Sequence, residues 1–167
     1  RDARLLAHYG AQWLARAARA SGDEDFELLA ANGELQERAM TEPNTVNRHA
    51  AAIGHLVTGD YESAVSALEA VVSEEPARAA YYNDLAAAYL ARGRAWDSRE
   101  DFWRARTAAK RAISLDRELD EAYFNHAVAL DAMGQTREAE QAYRQALARD
   151  PQSPWNEEII TRLEQVR

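Results

Sequence analysis

The chain has 167 residues, a formal net charge of −8, 36 Ala, only 4 Pro and 7 Gly, and no Cys. Such a length suits one domain that buries about 70% of its unfolded surface. Disulfides, thiolate metal sites and a Cys nucleophile are excluded, the acidic balance disfavours phosphate backbones as a general partner, and no apolar run approaches the roughly 18 residues that a membrane span needs.

In chain order, residues 2–20 and 24–41 read as a degenerate helix pair broken by "SGDED". Residues 47–76, "NRHAAAIGHLVTGDYESAVSALEAVVSEEP", read as helix, turn, helix. Residues 81–116, "YYNDLAAAYLARGRAWDSREDFWRARTAAKRAISLD", repeat that pattern with about seven extra residues after Gly93. Residues 122–151, "AYFNHAVALDAMGQTREAEQAYRQALARDP", repeat it without the insertion. "VVSEEP" and "ALARDP" close the first and third units, and "AISLDR" closes the second with Arg117 in place of the proline. Arg117 to Pro151 spans 34 residues, and Pro76 to Arg117 spans 41. A last helix is expected from Ser153, with Pro154 at its first position and Glu157 and Glu158 near its positive end. Its apolar side would be Trp155, Ile159, Leu163 and Val166. Ala is the best helix former and lets backbones approach, so this composition is one of closely packed helices.

A 34-residue helix–turn–helix period resembles the tetratricopeptide repeat. Small residues fall at the matching places: Ala52, Ala86 and Ala127 in the first helices, then Ala64, Ala105 and Ala139 in the second. Val71, Ala112 and Ala146 take the later small position, and Gly59, Gly93 and Gly134 the turn. Tyr82 and Tyr123, Tyr89 and Leu130, and Leu68 and Tyr143 fill the large positions. His126, Arg48 and Ala109 depart from the pattern. The resemblance implies an all-α, right-handed α-solenoid of antiparallel helix pairs with a C-terminal capping helix. Its divisions would be a degenerate pair over 1–44, three repeats over 45–78, 79–119 and 120–153, and a cap over 154–167. The lengthened second unit, "EAYFNHAVALDAMGQTREAEQAYRQAL" and "DPQSPW" also look like repeat segments upstream of bacterial caspase-like CHAT protease domains. With no Met at position 1 and no signal-like start, the chain reads as a piece of a longer protein, in a cytoplasmic setting by preference.

Catalytic signatures are missing from the sequence. There is no HExxH, no nucleotide-binding glycine loop and no Gly-x-Ser-x-Gly elbow. His49 and His55 are six apart, off one helix face, and His8 and His126 stand alone. "GDEDFE" lacks the spaced oxygens and terminal Glu of a calcium loop and reads as a helix start. The reading is therefore non-enzymatic, without cofactor or metal.

The resemblance implies a concave groove lined by first-helix positions. These are His49, Ile53 and Leu56, then Asn83, Asp84, Ala87 and Leu90, then Glu121, Phe124, Asn125, Val128 and Asp131. Asn83 and Asn125 would hold a peptide backbone through their paired donors and acceptors, and the apolar members would form pockets. Chaperone-binding members hold a terminal carboxylate with Lys and Arg. Here those positions carry His49, Ile53, Asp84, Glu121 and Asn125, so no carboxylate clamp is expected and the partner should be neutral to basic with apolar side chains. A second docking surface is expected at the insertion, from Arg94, Trp96, Arg99, Phe102 and Trp103. It would serve contact with other domains of the parent chain or self-association. Asp97, Glu100 and Asp101 make nucleic acid a poor occupant. On the alternative reading, the insertion merely lengthens both helices and its aromatics pack on the neighbouring pair.

Overall fold

The computed structural model describes residues 23–150, 153 and 155–165, all helices and connections. Eight helices follow in order: α1 (Asp23–Thr41), α2 (Thr45–Thr58), α3 (Tyr61–Glu74), α4 (Ala79–Trp96), α5 (Arg99–Leu115), α6 (Asp120–Ala132), α7 (Thr136–Arg149) and α8 (Asn156–Gln165). Each packs on the next, and in addition α2 packs on α4 and α4 on α6. The result is an all-α helical-repeat solenoid whose first helices α2, α4 and α6 stack alongside one another. Residues 2–20, Pro154 and Val166 lie outside the described residues.

Small side chains set the helix crossings. Ala52, Ala64, Ala86, Ala105, Ala112, Ala127 and Ala139 have no exposed surface, nor does Val71. A methyl group at a crossing allows interaxial distances of about 8–10 Å. Ala109, where the repeat pattern favours a ring, is likewise fully buried. Larger residues then fill the spaces between crossings, with Leu68, Tyr143 and Phe124 among the largest buried side chains.

Local signals start and stop the helices. Asn44 accepts from the Asn47 amide at 2.9 Å to cap α2, and Asp60 accepts from the Ser63 amide at 3.2 Å to cap α3. Gly59 and Gly134 end their helices with φ of 85° and 72°, a conformation in which a Cβ is disfavoured. The third glycine of the series behaves otherwise. The insertion prolongs both helices of its unit, so Gly93 lies inside α4 rather than in the turn. Its role is close approach: a Cβ there would fall 2.6 Å from Cε1 of the buried Phe102. The turn passes to Asp97, which takes the left-handed conformation at φ 52°, while Ser98 caps α5 by accepting from the Asp101 amide at 3.3 Å. Arg92 clamps this longer hairpin with two hydrogen bonds to Asp101, at 3.0 and 2.6 Å.

The C-terminal helix begins at Asn156, three residues beyond the expected start at Ser153. Its apolar side does face the core: Ile159 is buried, and Trp155 and Leu163 pack against the same cluster. Trp155 stands 5.8 Å from the Phe124 ring.

The contrast between glycines is measurable. Overpacking costs about 1–3 kcal/mol, against about 1 kcal/mol gained when Ala replaces Gly in a helix. Gly93→Ala should therefore lower the melting temperature by a few degrees. Gly33→Ala, at an exposed helical site with nothing within 4 Å of the new Cβ, should raise it. Equal effects in calorimetry would refute the close-approach role of Gly93.

Candidate functional site: the first-helix face and the α4–α5 hairpin

The projected groove residues divide by depth. His49, Ile53, Leu56, Asn83, Asp84, Leu90, Phe124, Asn125 and Val128 are all buried, while Glu121 and Asp131 remain partly exposed. The expectation of open apolar pockets at Ile53, Leu56, Leu90, Phe124 and Val128 needs correction: all five belong to the core cluster. The physical reason is direct packing of neighbouring first helices, α2 on α4 and α4 on α6, together with Trp155 against Phe124.

The polar members form a chain across three units. His49 Nε2 lies 2.7 Å from Asp84 Oδ2, and the His49 ring sits 4.5 Å from that of Tyr81. Asn83 Nδ2 donates to Asp84 Oδ1 at 3.5 Å, and Asn125 Nδ2 donates to Asn83 Oδ1 at 2.8 Å. Here Asn83 and Asn125 bond to each other inside the protein, contrary to the expectation that they wait for a ligand backbone. A buried polar group costs about 1–3 kcal/mol when left unsatisfied, so this row holds α2, α4 and α6 in one register.

Next to the row lies a concentration of acid. Burial is the first cause of a raised Glu121 pKa, and the Asp120, Asp150 and Asp84 charges push it further in the same direction. Asp131 accepts from the Tyr143 hydroxyl at 3.2 Å and pairs with Arg162 at 3.1 Å. Among the described residues no cluster of His, Asp or Glu is arranged to hold a metal ion, and no helix is long and apolar enough to cross a membrane.

At the insertion, Phe102 is buried against Gly93, whereas Trp96 and Trp103 are 56% and 52% exposed. Phe102 thus packs inside its own hairpin rather than only on the neighbouring pair, and the packing alternative fails for the two exposed tryptophans. Arg94 and Arg99 are exposed, and the Arg92 guanidinium stands 5.7 Å from the Trp96 ring centroid. Sequence reasoning missed the cavity beside Trp103. The signal was the i, i+3, i+7 stripe Tyr82, Leu85, Tyr89 facing Trp103, Thr107 and Arg111.

Residues 120–153, the α6–α7 unit, match the family model described as tetratricopeptide repeat. The protein folds as a tetratricopeptide-repeat solenoid. Among solved structures it is similar to TTC0263, a thermophilic TPR protein of Thermus thermophilus. The TM-score is 0.70 at 22% identity, over 83% of this chain and 72% of that one. The first TPR domain of human RPAP3 matches with a TM-score of 0.63 at 19% identity, over 73% of this chain and 88% of that one. The second TPR domain of human RPAP3, solved in complex with the HSP70 peptide SGPTIEEVD, gives 0.62 at 21% identity, over 73% and 93%. At these identities the likeness is one of fold. No curated protein matches the chain.

Within this TPR fold one histidine is positioned to report on pH. His126 of α6 is largely buried, and its Nε2 has no hydrogen-bond partner. Burial first, then the Arg106 and Lys110 charges, push its pKa down to about 4. The unfolded chain takes up this proton near pH 6.5 and the folded chain only near 4. The unfolded state therefore binds more protons between those values, and stability is lost as pH falls through that window. Melting temperature should drop between about pH 7 and about pH 4.5 in the wild type, and less steeply in His126→Leu. Parallel slopes in the two proteins would remove His126 from the account.

Proposed function

We propose that the protein is a non-enzymatic protein-interaction module that takes a peptide or helix of a partner along the face of α2, α4 and α6. Glu121 carries this reading: it is partly exposed beside the polar row, and the charges of Asp150 and the buried Asp84 act on it with the sign that favours an approaching cation, while Asp120 is already paired with Arg149 at 2.7 Å. The neighbouring domain of human RPAP3 in complex with an HSP70 peptide supports the general class. The polarity proposed here is the opposite of that peptide's acidic end. Where a carboxylate clamp would need Lys or Arg, this chain has His49, Ile53, Asp84, Glu121 and Asn125. The proposed ligand is therefore neutral to basic with apolar side chains. It binds at the rim of Glu121 and Asp131, since the floor is already packed. Affinity for an isolated peptide should be micromolar, about −8 kcal/mol.

A second reading is architectural. The exposed Trp96 and Trp103 support docking of the α4–α5 hairpin onto another part of a larger protein, for which the likeness to CHAT-associated repeats suggests a protease.

Selection from a displayed random peptide library tests the first reading. Peptides rich in Lys or Arg with apolar residues should be enriched on the wild type. Their affinity should fall about tenfold or more on Glu121→Lys, with helicity unchanged by circular dichroism. If SGPTIEEVD binds the wild type more tightly than any basic peptide, a carboxylate-holding site replaces this one. Basic peptides indifferent to Glu121→Lys would move binding off the first-helix face.

A further inference from the structure

A cavity of about 470 Å³ opens on the side of the molecule where α3 and α5 both pack against α4. This volume lies within the range of about 300–1,000 Å³ usual for ligand pockets. Its floor is apolar: Tyr82, Leu85 and Tyr89 from α4, with Ala108 from α5. Trp103 forms one wall, and Arg104 and Arg111 stand at the mouth. Both guanidiniums are held over aromatic rings, Arg104 at 5.9 Å from the Tyr89 centroid and Arg111 at 5.8 Å from that of Tyr82.

The two arginines differ in what they have left to offer. Arg104 is neutralised by Glu100 at 2.9 Å and Glu69 at 3.4 Å. Tyr89 adds a short hydrogen bond to the same Glu69. Arg111 donates only a long bond to the Pro76 carbonyl at 3.5 Å and has no carboxylate partner among the described residues. Lys110, exposed beside it, adds to the positive field at that end. The cavity therefore has an aromatic, largely apolar body and a cationic lip with hydrogen-bonding capacity to spare. Trp, Tyr and Arg are also the residues most enriched in binding hot spots. Glu100 to Arg111 covers about 16 Å of helix, the reach of about five extended residues.

We propose that this cavity is a second binding site, for a short partner segment that inserts an aromatic or branched aliphatic side chain between Tyr82, Tyr89 and Trp103 and places an adjacent carboxylate on Arg111. The site gives the Trp103 part of the architectural reading a partner chemistry, with Trp96 outside its lining, and does not depend on the first-helix face. The required segment is acidic, opposite in sign to the ligand proposed there, so the two sites select different sequences.

The test uses two pools of synthetic peptides of about seven residues, each with central Phe, Trp or Leu. One pool is flanked by Asp and Glu, the other by Lys and Arg. Both are titrated into the isotope-labelled protein while the Trp103 indole N–H and the Arg111 side chain are followed by NMR. The acidic pool should shift both signals. Trp103→Ala and Arg111→Ala should each weaken its binding about tenfold, whereas Trp96→Ala and Glu121→Lys should leave it unchanged. Trp103 and Arg111 are exposed, so both substitutions should leave the fold intact. Three results would each overturn the site: no shift at Trp103 with the acidic pool, equal shifts with the basic pool, or an equal loss in Trp96→Ala. Loss on Glu121→Lys would instead assign acidic peptides to the first-helix face and overturn the separation of the two sites.

Discussion

Close approach of helix axes at fully buried alanines is the constraint on which the rest of this protein depends. At Ala52, Ala86 and Ala127, and at Ala64, Ala105 and Ala139, the side chain is a methyl with no exposed surface, small enough for helix axes to approach. That closeness places every neighbouring side chain within reach of the next unit. It also explains why so few large residues suffice, since Leu68, Tyr143, Phe124 and a handful of others fill what the crossings leave open. An interior at crystal-like density transmits small changes of volume. Gly93 is the same device carried one step further, with Phe102 occupying even the space of a methyl.

Alanine packing is unspecific in register, because one methyl resembles another. The row His49–Asp84–Asn83–Asn125 supplies what alanines cannot. Its atoms satisfy one another only when α2, α4 and α6 stand at one mutual height, and slippage would leave buried donors and acceptors unpaired. The polar row and the alanine crossings thus divide the work, one setting distance and the other register. Arg92 with Asp101 plays the corresponding part in the elongated hairpin, where α4 and α5 run past the length of their neighbours.

Period and small-residue spacing were legible in the sequence because they arise from local geometry repeated in each unit. The buried alanines fall where the repeat spacing puts them, and Gly59 and Gly134 stand at the expected turns, with positive φ. Gly93 misled for a definite reason: a glycine that permits a turn and one that permits a contact are the same letter, and only the position of Phe102 separates them. The asparagines misled similarly. Their donor and acceptor capacity was recognised, but whether a partner lies across a groove or on the adjacent helix depends on a contact 42 residues apart in sequence. The cavity beside Trp103 escaped notice because its walls come from two helices and each stripe, taken alone, looks like ordinary core.

Charge adds a last consequence of the stacking. Residues 21–76 carry a net charge of −10 and residues 77–111 a net charge of +4. A repeat protein cannot mix these segments, because each unit touches only its neighbours and sequence order becomes spatial order. The polarity written along the chain is therefore preserved along the solenoid. An alternation of charge of this kind steers partners by sign before any close contact forms. It also resists parallel association of two copies, which would set acidic units beside acidic units. Residues 112–167 carry a net charge of −5, so attractive self-contacts would bring an acidic unit from either side against the basic α4–α5 hairpin. Such a contact is either a closed two-fold pair, each hairpin on the other copy's acidic unit, or a head-to-tail contact that propagates unless its rotation closes into a ring. The exposed Trp96 and Trp103 lie on that hairpin, so its protrusion and its paired acids bear as much on which contacts are avoided as on which are made.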